Sequence, residues 1–393
     1  MGVLRWQLWL DRLIEHYARR KALDPDVRLI LRLGLYQLRF LDRVPASAAV
    51  NESVNLAYFA RLRSAAPFVN GVLRNVTRDP NFDPVSSIED PLERLAVGTS
   101  HPLWLIERWA DAFGASEAEN FARSNNEAPP MSFRVVRKRS TDSNVLDELQ
   151  LAGAEITASR IRNGAWRVSA GAERLGDLVA EGRAYVQDEA SQLVADALEA
   201  EPRHRVLDLC AAPGSKTTQI ADLTNDAATI VASDRHAHRL TTVVRTAQMQ
   251  GLSSIHPLVV DGLRLLPFLE GHFDRVLVDA PCSGTGTLRR NPEIRWRISP
   301  DDIRDLVRRQ KLLLLNAASV VKPGGRLVYS TCSVEPEENE GVVNSFLENH
   351  DQFRIAKLNV DTRLVTPLGA ARTWPQRDGC DGFFLCAFER KVG

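Results

Sequence analysis

The sequence is poor in sulfur, with five cysteines and three methionines in 393 residues. Cys210, Cys282, Cys332, Cys380 and Cys386 form no CxxC pair and are too few for a disulfide scaffold, which fits a reducing, cytoplasmic setting. The eight histidines are scattered, with no HxxxH or HExxH spacing, so no metal site is expected. No stretch of about 18 apolar residues occurs, which argues against a membrane span, and the first residues lack the layout of a signal peptide. A Walker A loop, a GxGxxG turn and a GxSxG elbow are all missing, which speaks against nucleotide triphosphate, nicotinamide and serine-hydrolase chemistry. Repeats and low-complexity tracts are absent too. Net charge is also lacking: 50 Lys+Arg balance 50 Asp+Glu.

What is present is ordinary globular composition, 44% hydrophobic and 25% charged, at a length that suits two or three domains. The zero net charge hides an uneven distribution. Residues 1–80 carry 13 basic and 7 acidic side chains, and the next stretch is acidic. In the basic block, Asp24-Pro25 reads as an N-cap followed by proline at the first helical position. Val27, Ile30, Leu31, Leu35 and Leu38 then recur at helical spacing, as do Phe68, Val69, Val72, Leu73 and Val76 further on. Arg28, Arg32, Arg39, Arg74 and Arg78 fall on the polar sides, open to solvent or to RNA. Prolines 80, 84 and 91 mark a linker, and Pro129-Pro130 a second boundary. The expected organisation is a helical domain over 1–80, a linker with a helical segment over 81–128, a small α+β module over 129–182, and an α/β domain over 183–393.

In that last part, short β-rich runs (206–209, 229–232, 256–260, 276–278 and 327–329) alternate with helical patterns, which predicts a Rossmann-like, doubly wound parallel sheet. Ligands of such sheets bind at the carboxyl ends of the strands. The first run leads into Cys210-Ala211-Ala212-Pro213-Gly214-Ser215-Lys216, a turn of small residues opening a helix, where backbone can approach a ligand closely. The next three runs end in Asp234, Asp261 and Asp279. An acid after the second strand grips ribose hydroxyls, and one after the third can accept from an adenine amino group. A nucleoside cofactor without pyrophosphate fits, and S-adenosylmethionine is the candidate.

Cys282, in Asp279-Ala280-Pro281-Cys282-Ser283-Gly284, and Cys332, in Thr331-Cys332-Ser333, sit at two of these strand ends. A thiolate is a good nucleophile when a cation such as Lys216 lies nearby. Carbon 5 of a pyrimidine needs such help: a thiolate added at carbon 6 turns the ring into an enamine that accepts a methyl group. A second thiol can assist release, and an Asp can protonate or hydrogen-bond the ring edge. A cysteine pair, a strand-end Asp and a methyl-donor pocket together describe a cytosine-5 methyltransferase.

These motifs closely resemble the bacterial ribosomal RNA small-subunit methyltransferase B family (RsmB, also called Sun or Fmu), within the RNA 5-methylcytosine methyltransferases. Tyr185 to Ser191 is similar to the family's opening segment, 207–216 to its cofactor loop, Asp279 to Gly284 to its motif IV, Thr331-Cys332-Ser333 to its motif VI, and Arg377 to Phe384 to its closing segment. Leu33-Gly34-Leu35-Tyr36-Gln37-Leu38, Val44 to Glu52 and Phe68 to Arg74 resemble the NusB-like domain characteristic of this family. Gly2-Val3-Leu4-Arg5 resembles a segment reached in relatives only after about two earlier helices, so the domain is expected to be short at its start. The resemblance implies a class I S-adenosylmethionine-dependent methyltransferase domain in which Cys332 is the nucleophile and Cys282 helps release the product. It also places Asp234, Asp261 and Asp279 on cofactor and ring contacts and Lys216 on the loop lysine. DNA enzymes use the motif IV cysteine instead, so the motif VI cysteine favours RNA. Ser215 stands where relatives more often have glycine, a change tolerated unless the position needs positive φ.

The expected substrate is one cytidine of small-subunit ribosomal RNA, flipped out of its stack. Arg289, Arg290, Arg295 and Trp296, which follow motif IV, are candidates to hold that RNA. No membrane or metal partner is expected, and the protein is expected to be a monomer. Two alternatives remain: the same chemistry on transfer RNA, and a non-catalytic RNA-binding assembly factor.

Overall fold

The structure, a computed structural model, describes residues 1–19 and 22–392. It divides into one unit of Met1–Glu127 with Asn291–Arg297, and a second of Ala128–Arg290 with Ile298–Gly393.

In the first unit, Asp24 caps the helix Pro25–Phe40 by accepting from the backbone N–H of Asp26 at 2.9 Å. Val27, Ile30, Leu31 and Leu35 form its buried side, and the helix Ala66–Arg78 joins the same core through Val69, Val72, Leu73 and Val76. The stretch 81–128, expected as a linker with a helical segment, is more helical than that. It builds the helices Pro91–Thr99, Leu103–Phe113 and Ala115–Ser124, which belong to this unit. Trp109 and Phe121 are fully buried and meet edge to face at 4.7 Å. Acids on the outer faces of these helices disguise that core in the sequence.

The second unit contains two sheets. Strands β1 (Met131–Val135), β2 (Glu155–Ala158), β3 (Ala165–Ala170) and β4 (Ala184–Val186) form an antiparallel sheet of order β2-β3-β1-β4. The helices Asp142–Leu151 and Glu173–Ala180 pack on it around Phe133, Val145, Leu149, Leu175 and Leu178. β4 pairs with β1, so the module runs past the expected boundary at 182.

The larger sheet comprises β5 (Arg205–Asp208), β6 (Thr229–Asp234), β7 (Ile255–Val259), β8 (Phe273–Asp279), β9 (Val321–Thr331), β10 (Phe353–Ile355), β11 (Ala371–Arg372) and β12 (Phe384–Arg390). Its order is β10-β12-β9-β8-β5-β6-β7, with β11 paired to β12. β5 to β9 are mutually parallel, as expected, whereas β12 runs antiparallel to β9 and to β10. The sheet is therefore mixed. Neighbouring residues such as Val206 and Leu207, or Leu277 and Val278, enter opposite buried clusters, so both faces are covered. From β5 the chain steps outward through β6 and β7, then returns to place β8 on the other side of β5. That reversal is a topological switch point, and Asp208, Asp234 and Asp279 end the strands around it.

Candidate active site

The turn after β5 runs from Leu209 to Gly214 and opens the helix Ser215–Leu223. Gly214, at φ +107°, takes the left-handed conformation, and a Cβ there would press on Val243 at 3.1 Å. Ser215 starts the helix and is not among the residues with positive φ, so serine is accommodated. Beside this turn lies a cleft of about 510 Å³ lined by Leu209, Cys210, Asp234, Val260, Asp261 and Pro281, among others. Asp234 is buried and doubly held: it accepts from the His236 N–H at 2.9 Å and pairs with Arg239 at 2.9 Å. Asp261 accepts from the Leu263 N–H at 3.1 Å. Burial and the surrounding carboxylates push the Cys210 thiol up, so this cysteine is an inert wall.

Pro281 leads from the cleft to the two cysteines. The Sγ atoms of Cys282 and Cys332 lie 3.3 Å apart, and the Cys332 N–H points at the Cys282 sulfur at 3.3 Å. Gly286 lets the loops meet: its N–H donates to the Cys332 carbonyl at 3.0 Å, and any Cβ would collide with the Gly382 carbonyl. The hydrogen bond to Cys332, then burial, then the nearby charges of Cys332 and Glu338 hold the Cys282 thiol well above the usual cysteine range. Lys216 donates to Asp279 at 2.8 Å, and the other Asp279 oxygen accepts from Ser330 Oγ at 2.7 Å. Burial opposes the charge on Lys216, but Asp279, with Cys332 and Asp208 nearby, outweighs it and raises the ammonium's pKa. A lasting cation thus stands beside the sulfur pair.

Asp208 escaped the sequence reading. Burial, with Asp279 adding, pushes its pKa up to about 7 against the hydrogen bond from Thr217 Oγ1 at 2.7 Å. Since an unfolded Asp titrates near 4, the folded state holds this proton longer, and stability falls as pH rises from about 4 to about 7. Asp208→Asn removes that loss. Its stability relative to the unchanged protein is expected to improve between pH 4 and pH 8 by roughly 2–4 kcal/mol in urea melts. A pH-independent difference would place the titration elsewhere.

The structure places the four candidate RNA contacts in internal hydrogen bonds. Arg289 is 3% exposed and donates to the Gly379 carbonyl at 3.2 Å. Arg290 binds Asp381 at 2.8 Å, Asp188 at 3.0 Å and the Pro130 carbonyl at 2.9 Å. Arg295 is fully buried in the first unit, donating to the Ser100 carbonyl at 3.0 Å and Asn126 Oδ1 at 3.1 Å, and Trp296 Nε1 donates to the Leu4 carbonyl at 2.6 Å. These side chains tie the fold together: Arg289 and Arg290 meet the carboxylate of Asp381, whereas the acceptors of Arg295 are carbonyl and amide oxygens, and burial, with Arg5 nearby, lowers its pKa to about 9. Of the N-terminal arginines, Arg28 and Arg32 pair with Asp11. Arg74 and Arg78 instead line an open cleft of about 620 Å³ with Ser47, Asn51 and Thr77.

Comparison with known proteins gives a consistent picture. A family model described as 16S rRNA methyltransferase RsmB/F matches residues 195–389, a NusB family model matches 1–78, and an RsmF/B-like ferredoxin-like domain matches 101–171. The chain is 36% identical to the Bacillus subtilis (strain 168) protein named "Probable ribosomal RNA small subunit methyltransferase B", covering 99% of this chain and 89% of the relative. It is 37% identical to the ribosomal RNA small subunit methyltransferase B of Pseudomonas syringae pv. tomato, covering 98% and 86%. The crystal structure of PH0851 superposes with a TM-score of 0.87 at 30% identity, covering 99% of this chain and 88% of that one.

Proposed function

Because the chain belongs to the 16S rRNA methyltransferase RsmB/F family, we propose that it transfers a methyl group from S-adenosylmethionine to C5 of one cytidine in small-subunit ribosomal RNA, through a covalent adduct between Cys332 and C6 of the base. The observation that carries this reading is the 3.3 Å sulfur pair beside the Lys216–Asp279 pair.

The cleft by Asp234 and Asp261 suits the cofactor. Its apolar walls, Leu209, Val260 and Leu263, match an adenine face, and its carboxylates match ribose hydroxyls and an amino group. Bound there, S-adenosylmethionine supplies an electrophilic methyl group. The protein's own work is done by four side chains. Cys332, as a thiolate beside the Lys216 ammonium, adds to C6, and the ring's electron pair moves to C5. Lys216 and Asp279 face the ring edge and stabilise the charge that develops there. After methylation Cys332 is a neutral thioether, so it no longer repels a negative charge on Cys282. The Cys282 thiol then gives its proton to water and, as a thiolate, takes the C5 proton; the C5–H electron pair re-forms the C5=C6 double bond as the C–S bond breaks and its electron pair returns to Cys332.

RNA binding leans on the basic block of residues 1–80. Arg74 and Arg78 line its open cleft beside the start of the helix Ala46–Phe59, which has no side-chain cap and no acid in its first turn. The test is methylation of protein-free small-subunit RNA and total transfer RNA, side by side, with labelled cofactor. Label is expected in the ribosomal RNA, and bisulfite sequencing is expected to place it at one cytidine. Label in transfer RNA alone would reassign the substrate.

A further inference from the structure

The run Ser333-Val334-Glu335-Pro336-Glu337-Glu338-Asn339-Glu340 reads as a solvated acidic turn, yet Glu338 and Asn339 are fully buried. One Glu338 oxygen accepts from the Ser283 N–H at 2.9 Å and from Gln310 Nε2 at 2.8 Å. The other accepts from the Ser333 hydroxyl at 2.5 Å and from the Ser283 hydroxyl. Ser283 follows Cys282, and Ser333 follows Cys332. Gln310 also donates to the carbonyl of Pro281, on the other side of Cys282, at 2.9 Å. The turn itself is anchored: the Tyr329 hydroxyl donates to the Glu338 carbonyl at 2.6 Å, and Asn339 bonds Thr331 Oγ1 at 2.6 Å and the Ser333 carbonyl at 2.9 Å. Two loops about 50 residues apart in sequence therefore converge on one buried carboxylate, whose four acceptor sites are all in use.

We propose that Glu338 is the positioning residue of the cysteine pair: its carboxylate ties the residue after each cysteine to one point, and so sets the distance at which the two sulfurs work. The proposal rests on the two-cysteine reading above. Both loops are short and rich in small residues; the Gly286 N–H bond to the Cys332 carbonyl brings them together, and the Glu338 carboxylate adds the shared anchor for the residues that follow the two sulfurs. Glu338 touches neither sulfur by hydrogen bond, and acts through Ser283 and Ser333. Its negative charge also helps keep Cys282 a thiol until it is needed.

The experiment compares Glu338→Ala and Glu338→Gln with the unchanged protein, without RNA and then with it. Without RNA, diamide oxidises the two thiols to a Cys282–Cys332 disulfide, taking up two electrons and two protons, and peptide mass spectrometry follows the closure rate. With RNA, single-turnover methylation is timed. Misplacement by about 1 Å is expected to slow both rates about tenfold or more in Glu338→Ala. Glu338→Gln, which keeps one acceptor oxygen, is expected to fall between the two, with cofactor affinity unchanged in both. Glu338→Ala, folded and binding cofactor normally, overturns the proposal if closure and methylation stay within about twofold of the unchanged protein. Closure is read without catalysis, so a failed nucleophile assignment would show separately, as methylation surviving in Cys332→Ala.

Discussion

Cys332→Ala is expected to lose methyl transfer by roughly 10⁴-fold or more while still binding the cofactor and melting close to the unchanged protein. The size of the loss follows from the chemistry. Carbon 5 of cytidine does not attack a methyl group at a useful rate until a nucleophile has added at carbon 6, and no other side chain offers that nucleophile here. Cys210 is pushed up by burial among carboxylates, and Cys380 and Cys386 are fully buried. Cys282 lies 3.3 Å away but is held as a thiol. Structural cost should be small, because Cys332 is only partly buried and its carbonyl bond to the Gly286 N–H does not involve the side chain. Methylation at more than about a hundredth of the normal rate would refute the nucleophile assignment.

The parts of the site set by short-range chemistry were legible in the sequence. Strand, small-residue turn and helix follow one another within ten residues at 206–215, and an acid at a strand's carboxyl end marks itself, as Asp234 and Asp279 do. Burial was far less legible. Arg289, Arg290, Arg295 and Trp296 sit in a run that looks like an exposed basic surface, and only tertiary contacts reveal that they bond to backbone carbonyls and, for Arg289 and Arg290, to the acids Asp188 and Asp381. Asp381 shows how far this goes: although it pairs with Arg289 and Arg290, burial and Asp188 still push its pKa up to about 7. The same blindness hid Glu338, since a run of acids after a strand is ordinarily solvated. Its only local signal is that hydroxyl residues, Ser283 and Ser333, follow both cysteines. The antiparallel β12 was hidden differently: apart from the two-residue β11, its residues 384–390 pair with β9 and β10, which are distant in the chain, and the parallel pattern before them set the expectation.

Cys282→Ala should separate bond formation from bond breaking. Methylation of the first base is expected to proceed, because Cys332, Lys216 and Asp279 are all retained. Release is expected to stall, because nothing else within reach of C5 is placed to take its proton: Lys216 is held as a cation by Asp279, and Asp279 already accepts from Lys216 and Ser330. The enzyme would then remain bonded to its product, giving a slowly migrating protein–RNA band on a denaturing gel that survives heat and detergent and vanishes on RNase treatment. Multiple turnover is expected to fall by roughly 10²–10⁴-fold, the usual range for losing a general base, while a single-turnover burst approaching one methyl per enzyme persists. The double variant lacking both cysteines should form neither band nor burst, which ties the adduct to Cys332. A Cys282→Ala enzyme that turns over normally would mean that water, rather than the second thiol, takes the C5 proton.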